Sequence, residues 1–357
     1  MFLLIFSLSA CKEKYEIPIS IQEHYDFLPA VNDIGGKIEY RKIEIPAKLK
    51  EYNAGCLYLC DKSTALLYLS KTGNYYLEQE FGFYNFETND YQSLTSFPEG
   101  QNVGISALND DYLILRIFRD DVHKESLLPV GLYAYSLQDS QLFEIILEEI
   151  DPVSGYPIYA SYNDVLLLGD TLWFDRFHTN ADGSRSVALY SINLKDRKPI
   201  KRVENAQNPF LYQDQVAFFT HNENKEYKKI TTLGGQSIDV TIDLRDIAAT
   251  GNHIYGIENQ PDYKELLTRF HLKDLITNQP IVSTIKSIDR LHANEYFVSW
   301  RNIFKHTPCI YDRKSKQLLV FSDLPESETF YLIKENYGIL TQHTDNGRVR
   351  YFFERKQ

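Results

Sequence analysis

The chain has 357 residues, of which 43% are hydrophobic and 14% aromatic, and its formal net charge is -11. It contains 26 Tyr and 21 Phe but only one Met and two Trp, a composition that favours stacked β-sheets over packed helices. The acidic charge is spread along the sequence without a basic stripe, which argues against nucleic acid as a partner. We therefore expect an all-β protein with a soluble, acidic surface.

The N-terminus has the pattern of a lipoprotein signal. The apolar run of residues 2–6 is too short to cross a bilayer as a helix, and Leu8-Ser9-Ala10-Cys11 follows it. These four residues resemble the lipobox of bacterial lipoproteins, although no basic residue precedes the apolar run. The resemblance implies that residues 1–10 are a signal peptide and that Cys11 is lipidated and anchors the chain to a membrane. Lys12 is not the Asp of an inner-membrane retention signal, which favours the outer membrane, with the side that the chain faces left open.

Residues 11–36 lack a sustained periodicity and contain Pro18, Pro29 and the pair Gly35-Gly36, so they are predicted to be a tether. Apolar and polar residues alternate in part over residues 37–45, which predicts one isolated strand. The folded domain is therefore predicted to span residues 37–357.

From residue 56 onward, short apolar runs separated by polar turns recur in groups of four. The group within residues 287–324 is the clearest, with runs at 288–291, 296–300, 308–311 and 317–321. Five similar groups precede it, and the third is predicted to begin with a strand from Ile158 to Tyr162. A four-stranded unit repeated at this spacing is typical of β-propeller blades.

After Leu324 the sequence supplies three more strands, at residues 330–334, 337–342 and 348–354. The missing fourth strand is predicted to be the isolated N-terminal strand, which would close the ring and protect the edges of the sheets. This count gives a single β-propeller with seven four-stranded blades, with six or eight as alternatives.

Motifs for catalysis or metal binding are not found. Residues 104–107 lack the last Gly of a nucleophile elbow, and residues 180–186 fit a hairpin turn better than a calcium loop. Cys56, Cys60 and Cys309 lack zinc-site spacing and are predicted to be free thiols. The sequence thus predicts no metal and no cofactor.

Polar residues recur where the second strand of a blade leads into the loop before the third strand. In a propeller these loops share one face with the connections between blades. The predicted binding residues from six blades are Arg119, Arg176, His178, His221, Asn259, Arg301 and His343. Because Arg suits carboxylates and phosphates, and His and Asn both donate and accept, a polar or anionic ligand is expected.

With its lipobox and its strand repeats, the chain resembles TolB-like and related β-propeller lipoproteins of Bacteroidota, many without an assigned function. The resemblance covers nearly the whole length and implies a role in the cell envelope, but no reaction. We expect a monomeric binding or scaffold module for a protein, peptide or glycan. The alternative is an envelope enzyme that acts on a glycan or peptide near the propeller axis.

Overall fold

The computed structural model describes residues 25–27, 33–37, 39–44, 49, 52–71, 78–118, 127–150, 152, 155, 157–158, 165–179, 182–221, 227–240, 244–262, 267–284, 288–302, 308–320, 329–344 and 347–355. In these ranges the chain is all-β and forms seven antiparallel four-stranded blades arranged as a β-propeller. Within these ranges no helix is long and apolar enough to cross a membrane. The predicted fold and blade number are confirmed.

The strands follow one another around the ring in chain order. Three short N-terminal strands come first: β1 (Tyr25–Phe27), β2 (Asp33–Lys37) and β3 (Tyr40–Ile43). Blade 1 consists of β4 (Tyr52–Leu59), β5 (Thr64–Lys71), β6 (Gln79–Asn85) and β7 (Asp90–Phe97). Blade 2 consists of β8 (Asn102–Leu108), β9 (Tyr112–Phe118), β10 (Gly131–Ser136) and β11 (Gln141–Leu147), and the hairpin β12 (Glu149–Ile150) with β13 (Pro157–Ile158) follows it.

The third and fourth blades are continuous in sequence. Blade 3 consists of β14 (Leu166–Leu168), β15 (Thr171–Thr179), β16 (Arg185–Asn193) and β17 (Pro199–Glu204). Blade 4 consists of β18 (Ala206–Tyr212), β19 (Gln215–His221), β20 (Tyr227–Thr232) and β21 (Ser237–Asp239).

The last three blades complete the ring. Blade 5 consists of β22 (Leu244–Thr250), β23 (His253–Asp262), β24 (Leu267–Asp274) and β25 (Gln279–Thr284). Blade 6 consists of β26 (Ile288–Ala293), β27 (Phe297–Asn302), β28 (Pro308–Asp312) and β29 (Gln317–Val320). Blade 7 consists of β30 (Thr329–Lys334), β31 (Tyr337–Thr344) and β32 (Gly347–Glu354), with β3 as its outer strand.

The core lies between successive blades, so both faces of a second strand are buried. In β9, Tyr112 and Ile114 pack in the cluster shared with blade 3, while Leu113 and Leu115 pack in the cluster shared with blade 1. This two-sided burial explains why the second strands are nearly continuous apolar runs. First strands of neighbouring blades, such as β18 and β22 or β22 and β26, contact each other and therefore surround the axis.

The turn between the third and fourth strands repeats a capping pattern. Asn85 Oδ1 accepts hydrogen bonds from the backbone N–H groups of Glu87 and Thr88, both at 3.0 Å, and Asn89 has a positive φ of 63°. Such side-chain caps and left-handed residues are typical of tight turns. The same pairing of cap and positive φ occurs at Ser136 and Ser140, Asn193 and Arg197, Asp274 and Asn278, and Asp312 and Lys316.

The propeller has two different faces. The turn face carries the turns between first and second and between third and fourth strands, and the loop face carries the other connections. On the turn face, Asn109 Nδ2 donates to the carbonyl of Gly169 in the next blade at 2.9 Å. Arg313 Nε of blade 6 donates to the hydroxyl of Tyr255 in blade 5 at 2.9 Å, and Asn294 Nδ2 donates to the carbonyl of Glu335 in blade 7 at 2.9 Å. These side chains hold the blades together.

Closure of the ring by an N-terminal strand is confirmed. β3 pairs antiparallel with β32, from Tyr40 opposite Phe353 to Ile43 opposite Arg350. Ile43 is buried in the cluster between blades 7 and 1, and Arg350 donates to the carbonyl of Ala54 in blade 1. The two ends of the domain are therefore joined by one sheet.

The prediction of a tether over residues 11–36 needs correction at two places. β1 pairs antiparallel with β25, and β2 pairs parallel with β29, so each adds a fifth strand at the rim of a blade. The outer strands offer unpaired backbone groups that can bind an extended segment whatever its side-chain periodicity. We call β1, β2 and β3 together the rim strap; residues 11–24 lie outside the described residues.

The prediction for the start of blade 3 is also wrong. Its inner strand is β14, whereas Ile158 belongs to the hairpin of β12 and β13. The aliphatic and aromatic residues after Pro157 suggested a strand, but the register of the blade is set by Leu166 opposite Trp173.

Candidate functional site

The strand order directs the predicted binding residues to the loop-face half of the propeller. Arg176, Asn259 and Arg301 are described with their side chains. His178, His221 and His343 lie in β15, β19 and β31, and their side chains are outside the described residues, as is the whole of Arg119. The structure thus places three of the seven side chains, in blades 3, 5 and 6.

Arg301 is part of a buried ion pair within blade 6. Its Nε donates to Asp289 Oδ1 at 3.0 Å and its Nη2 donates to Asp289 Oδ2 at 2.8 Å, while the residue is only 9% exposed. This two-point geometry is the strongest form of an arginine–carboxylate contact. Arg301 is therefore not an exposed loop-end cation, which corrects the sequence-based interpretation of this corner.

Arg176 connects blade 3 to the hairpin that precedes it. Its Nη2 donates to Glu149 Oε2 at 3.0 Å, and the side chain of Glu149 is 62% exposed whereas that of Arg176 is 13% exposed. The hairpin lies on the loop face because it belongs to the connection between blades 2 and 3. Arg176 thus lies directly beneath this face with its charge partly balanced.

Two carboxylates that were not predicted as site residues link neighbouring blades. Asp175 is fully buried, and its Oδ2 accepts a hydrogen bond at 3.0 Å from the backbone N–H of Asn208, which has a positive φ of 53°. Asp246 Oδ2 accepts in the same way from the N–H of Leu291 at 2.8 Å. Both donors lie at β-bulges of an inner strand. The carboxylates satisfy backbone groups that the bulges leave unpaired.

Blade 5 contains a cluster of charged side chains around Glu258. Lys273 Nζ lies 2.8 Å from Glu258 Oε2, and both side chains are largely buried. His271 lies opposite Glu258 in the sheet. Burial and the nearby cations Arg269 and Lys273 lower the pKa of His271, although Glu258 opposes this effect. His271 is therefore neutral at pH 7.

Among the described residues, several buried polar atoms in the loop-face half of the strands lack a hydrogen-bond partner. They come from four successive blades: Arg176 Nε, Asn208 Oδ1, Asn259 Oδ1 and Trp300 Nε1. Each lies in the half of its strand that leads to the loop face. Buried polar groups are normally satisfied, so each exception is a position where water or a polar ligand group could supply the missing hydrogen bond. Asn259, a predicted site residue, is one of them.

The described part of this half of the propeller is not uniformly basic. Glu149 balances the charge of Arg176, and Asp289 balances the charge of Arg301. Asp175, which precedes Arg176 in β15, adds a buried carboxylate. Within the described ranges, no three His, Cys, Asp or Glu side chains come together as a metal site. The local charge is mixed, so the described arginines do not form a uniformly basic surface.

Neither of the two described cysteine side chains forms a disulfide, as predicted. Cys60 is half-buried and Cys309 is buried. Burial raises the pKa of Cys60 to about 11, so its thiol is protonated and unreactive at neutral pH.

Comparison with known proteins shows the fold. No protein-family model and no curated protein sequence matches the chain. An oligogalacturonate lyase solved in complex with manganese has a TM-score of 0.53 at 11% identity, over 91% of this chain and 99% of the lyase. Acylaminoacyl peptidase from Pyrococcus horikoshii has a TM-score of 0.55 at 10% identity, over 87% of this chain and 53% of the peptidase.

A third similar structure is the β-propeller domain of the Trilobed protease from Pyrococcus furiosus. Its TM-score is 0.55 at 8% identity, over 85% of this chain and 96% of that domain, and its description reports an open velcro topology. These proteins confirm the β-propeller part of the resemblance seen in the sequence. At these identities the likeness concerns the fold alone.

Proposed function

We propose that this chain is a lipid-anchored β-propeller of the cell envelope that binds a polar or anionic partner on its loop face. The partner is a protein, peptide or glycan, and the propeller acts as a binding or scaffold module. The main support is the set of buried polar atoms for which the described part of the chain supplies no partner in the loop-face half of the strands, at Arg176, Asn208 and Asn259. Their donors and acceptors could be satisfied by a ligand.

The contacts on the turn face also favour the loop face as the binding surface. Several of its described polar side chains cap turns or bond to carbonyl groups of the next blade, as Asn109 and Asn294 do. A partner that bound them would have to replace contacts that hold the ring together. The loop face has longer connections, such as residues 119–130 between β9 and β10, which can differ in sequence without altering the blades.

The anchor is proposed from Leu8-Ser9-Ala10-Cys11. Metabolic labelling of the expressing bacterium with a palmitate analogue is expected to mark the wild-type protein, because Cys11 would carry the acyl chains. The Cys11→Ala variant is expected to stay unlabelled and to leave the membrane fraction. Label that persists in this variant would contradict the lipoprotein proposal, and Cys60→Ala serves as the control that keeps its label.

The alternative is an envelope enzyme, and the solved neighbours include a lyase and peptidases. In the described ranges, three carboxylates in the loop-face half of the strands are bound to other groups: Asp289 to Arg301, Asp175 to the backbone of Asn208, and Glu258 to Lys273. A general acid or base needs a carboxyl group that can reach the substrate. This observation favours binding over catalysis.

Oligogalacturonate, an anionic sugar named with one neighbour, is a suitable first probe, beside a short acidic peptide. We expect saturable binding by calorimetry and about tenfold weaker affinity in the double variant Arg176→Ala, Asn259→Ala, because each loses a polar contact. Thermal stability should change little, since the freed Glu149 carboxylate stays hydrated.

The matched control is Lys195→Ala with Lys198→Ala on the turn face, where both lysines are exposed. This variant is expected to bind like the wild type. Affinity lost in the control variant, or no saturable binding of either probe, would contradict an anionic ligand on the loop face. Cleavage of the probe, lost in the loop-face variant, would establish the enzymatic alternative.

A further inference from the structure

The seven blades differ in how their outer edges are protected. The rim strap covers three of them, because β1 pairs with β25, β2 with β29 and β3 with β32. In the described part of the chain, no strand pairs with the outer edges of the other four, β7, β11, β17 and β21. Such edges present unpaired backbone groups and need other protection against unwanted pairing.

Three of these four edges have sequence features that hinder the pairing of a further strand. β17 contains Pro199 and three charged residues, β11 contains the exposed Glu144, and β21 is only 3 residues long. Prolines, charges and short length are the usual means of blocking an edge. β7 differs from all three, since it has 8 residues and no charge after Asp90.

The free edge of β7 has the same register as an edge that is occupied elsewhere in the ring. In blade 5, Val282, Ser283 and Thr284 follow a bulge in β25 and pair with Phe27, Asp26 and Tyr25 of β1. In blade 1, Thr95, Ser96 and Phe97 follow the equivalent bulge in β7. The bulge therefore does not prevent strand addition at this position, because β25 accepts a strand there.

The sequence around β7 is acidic, and of its carboxylates Glu87 is paired with Arg41 at 3.4 Å. Residues 72–115 contain seven acids, at positions 78, 80, 87, 90, 99, 110 and 111, and no Lys, Arg or His. Asp90 and Glu99 are exposed at the two ends of the edge, while Gln92, Ser93 and Ser96 on the strand are exposed and uncharged. An uncharged edge between acidic ends is complementary to an extended segment with basic ends.

We propose that the outer edge of β7 binds an extended basic segment of a partner protein as an added antiparallel strand. Its backbone would bond to residues 95–97, as β1 does on blade 5, and its Lys or Arg side chains would contact Asp90 and Glu99. This site lies on the rim of blade 1 and is independent of the ligand proposed for the loop face.

The probe is a short synthetic peptide of alternating Thr and Val with two Lys at each end, titrated against the full chain by fluorescence anisotropy. A second peptide with Glu in place of Lys is expected to bind at least about tenfold more weakly, because its ends repel the acidic rim. Hydrogen exchange is expected to show slower exchange of the amides of residues 91–97 when the Lys peptide is bound.

The variants test the position of the peptide. Ser96→Lys places a cation on the edge and is expected to lower the affinity for the Lys peptide by about tenfold. The Ser96→Glu variant should bind this peptide at least as well as the wild type does. Ser237→Lys introduces the same change on the exposed outer strand of blade 4 and should have no effect. Both Ser96 and Ser237 are exposed, so the variants are expected to fold, which thermal melting verifies.

Equal loss in Ser96→Lys and Ser237→Lys, or no change of exchange in residues 91–97, would overturn the proposal. A mass that doubles with concentration in the wild type and not in Ser96→Lys would also overturn it, and would assign the edge to a second copy of this chain.

Discussion

A chain that starts at residue 45 is expected to melt roughly 10 °C below the full chain, because it lacks the entire rim strap. Its loss leaves the outer edge of β32 unpaired and removes the buried Ile43, whose side chain alone contributes roughly 1.5–3 kcal/mol by burial. Blades 5 and 6 also lose their fifth strands. Differential scanning calorimetry of the purified domain measures the shift.

Graded truncation separates the three strands of the strap. A chain that starts at residue 25 keeps every described strand and should melt like the full chain. A chain that starts at residue 39 keeps β3 alone and should fall between the two, because ring closure is preserved but two rims are exposed. If the chains starting at 25 and 45 melt at the same temperature, β3 does not close the ring.

Replacing Arg301 by Met is expected to cost about 3–5 kcal/mol of the free energy of unfolding, since it leaves the carboxylate of Asp289 without its two-point partner. Asp289 is only 24% exposed, so water compensates for the loss only in part. Urea denaturation followed by tryptophan fluorescence measures the change, because Trp300 is adjacent and buried.

The double variant Arg301→Met, Asp289→Leu is the matched control. Removing both charges should recover most of the stability, as buried ion pairs can often be exchanged for apolar groups at little cost. If the free-energy changes of the two single variants add up to that of the double variant, the ion pair contributes nothing to stability. The same result would restore Arg301 as a candidate for ligand binding.

The sequence predicted the ring because the blade strands have a strong physical signature. Leu113, Ile114 and Leu115 are all fully buried, since each second strand lies between two neighbouring blades, and such apolar runs recur along the chain. Blade 7 could be recognised as incomplete for the same reason. The number of blades followed from counting these runs.

The rim strap and the ion pairs could not be predicted in the same way. Tyr25, Asp26 and Phe27 pair through backbone groups, which every sequence possesses, so β1 has no pattern that identifies it. Arg301 was recognised as polar, but its partner depends on register. A bulge between Asp289 and His292 shifts the pairing of β26, and only the folded hairpin shows Asp289 opposite Arg301.

Ring closure also determines when the protein can finish folding. The strand β3 is synthesised before all the blade strands, while its partner β32 is synthesised after the first six blades. Contacts between such distant segments form slowly, because the whole intervening chain must be ordered first. During synthesis β3 therefore stays unpaired while six blades form. A chain released early keeps that edge exposed and prone to pair with other chains.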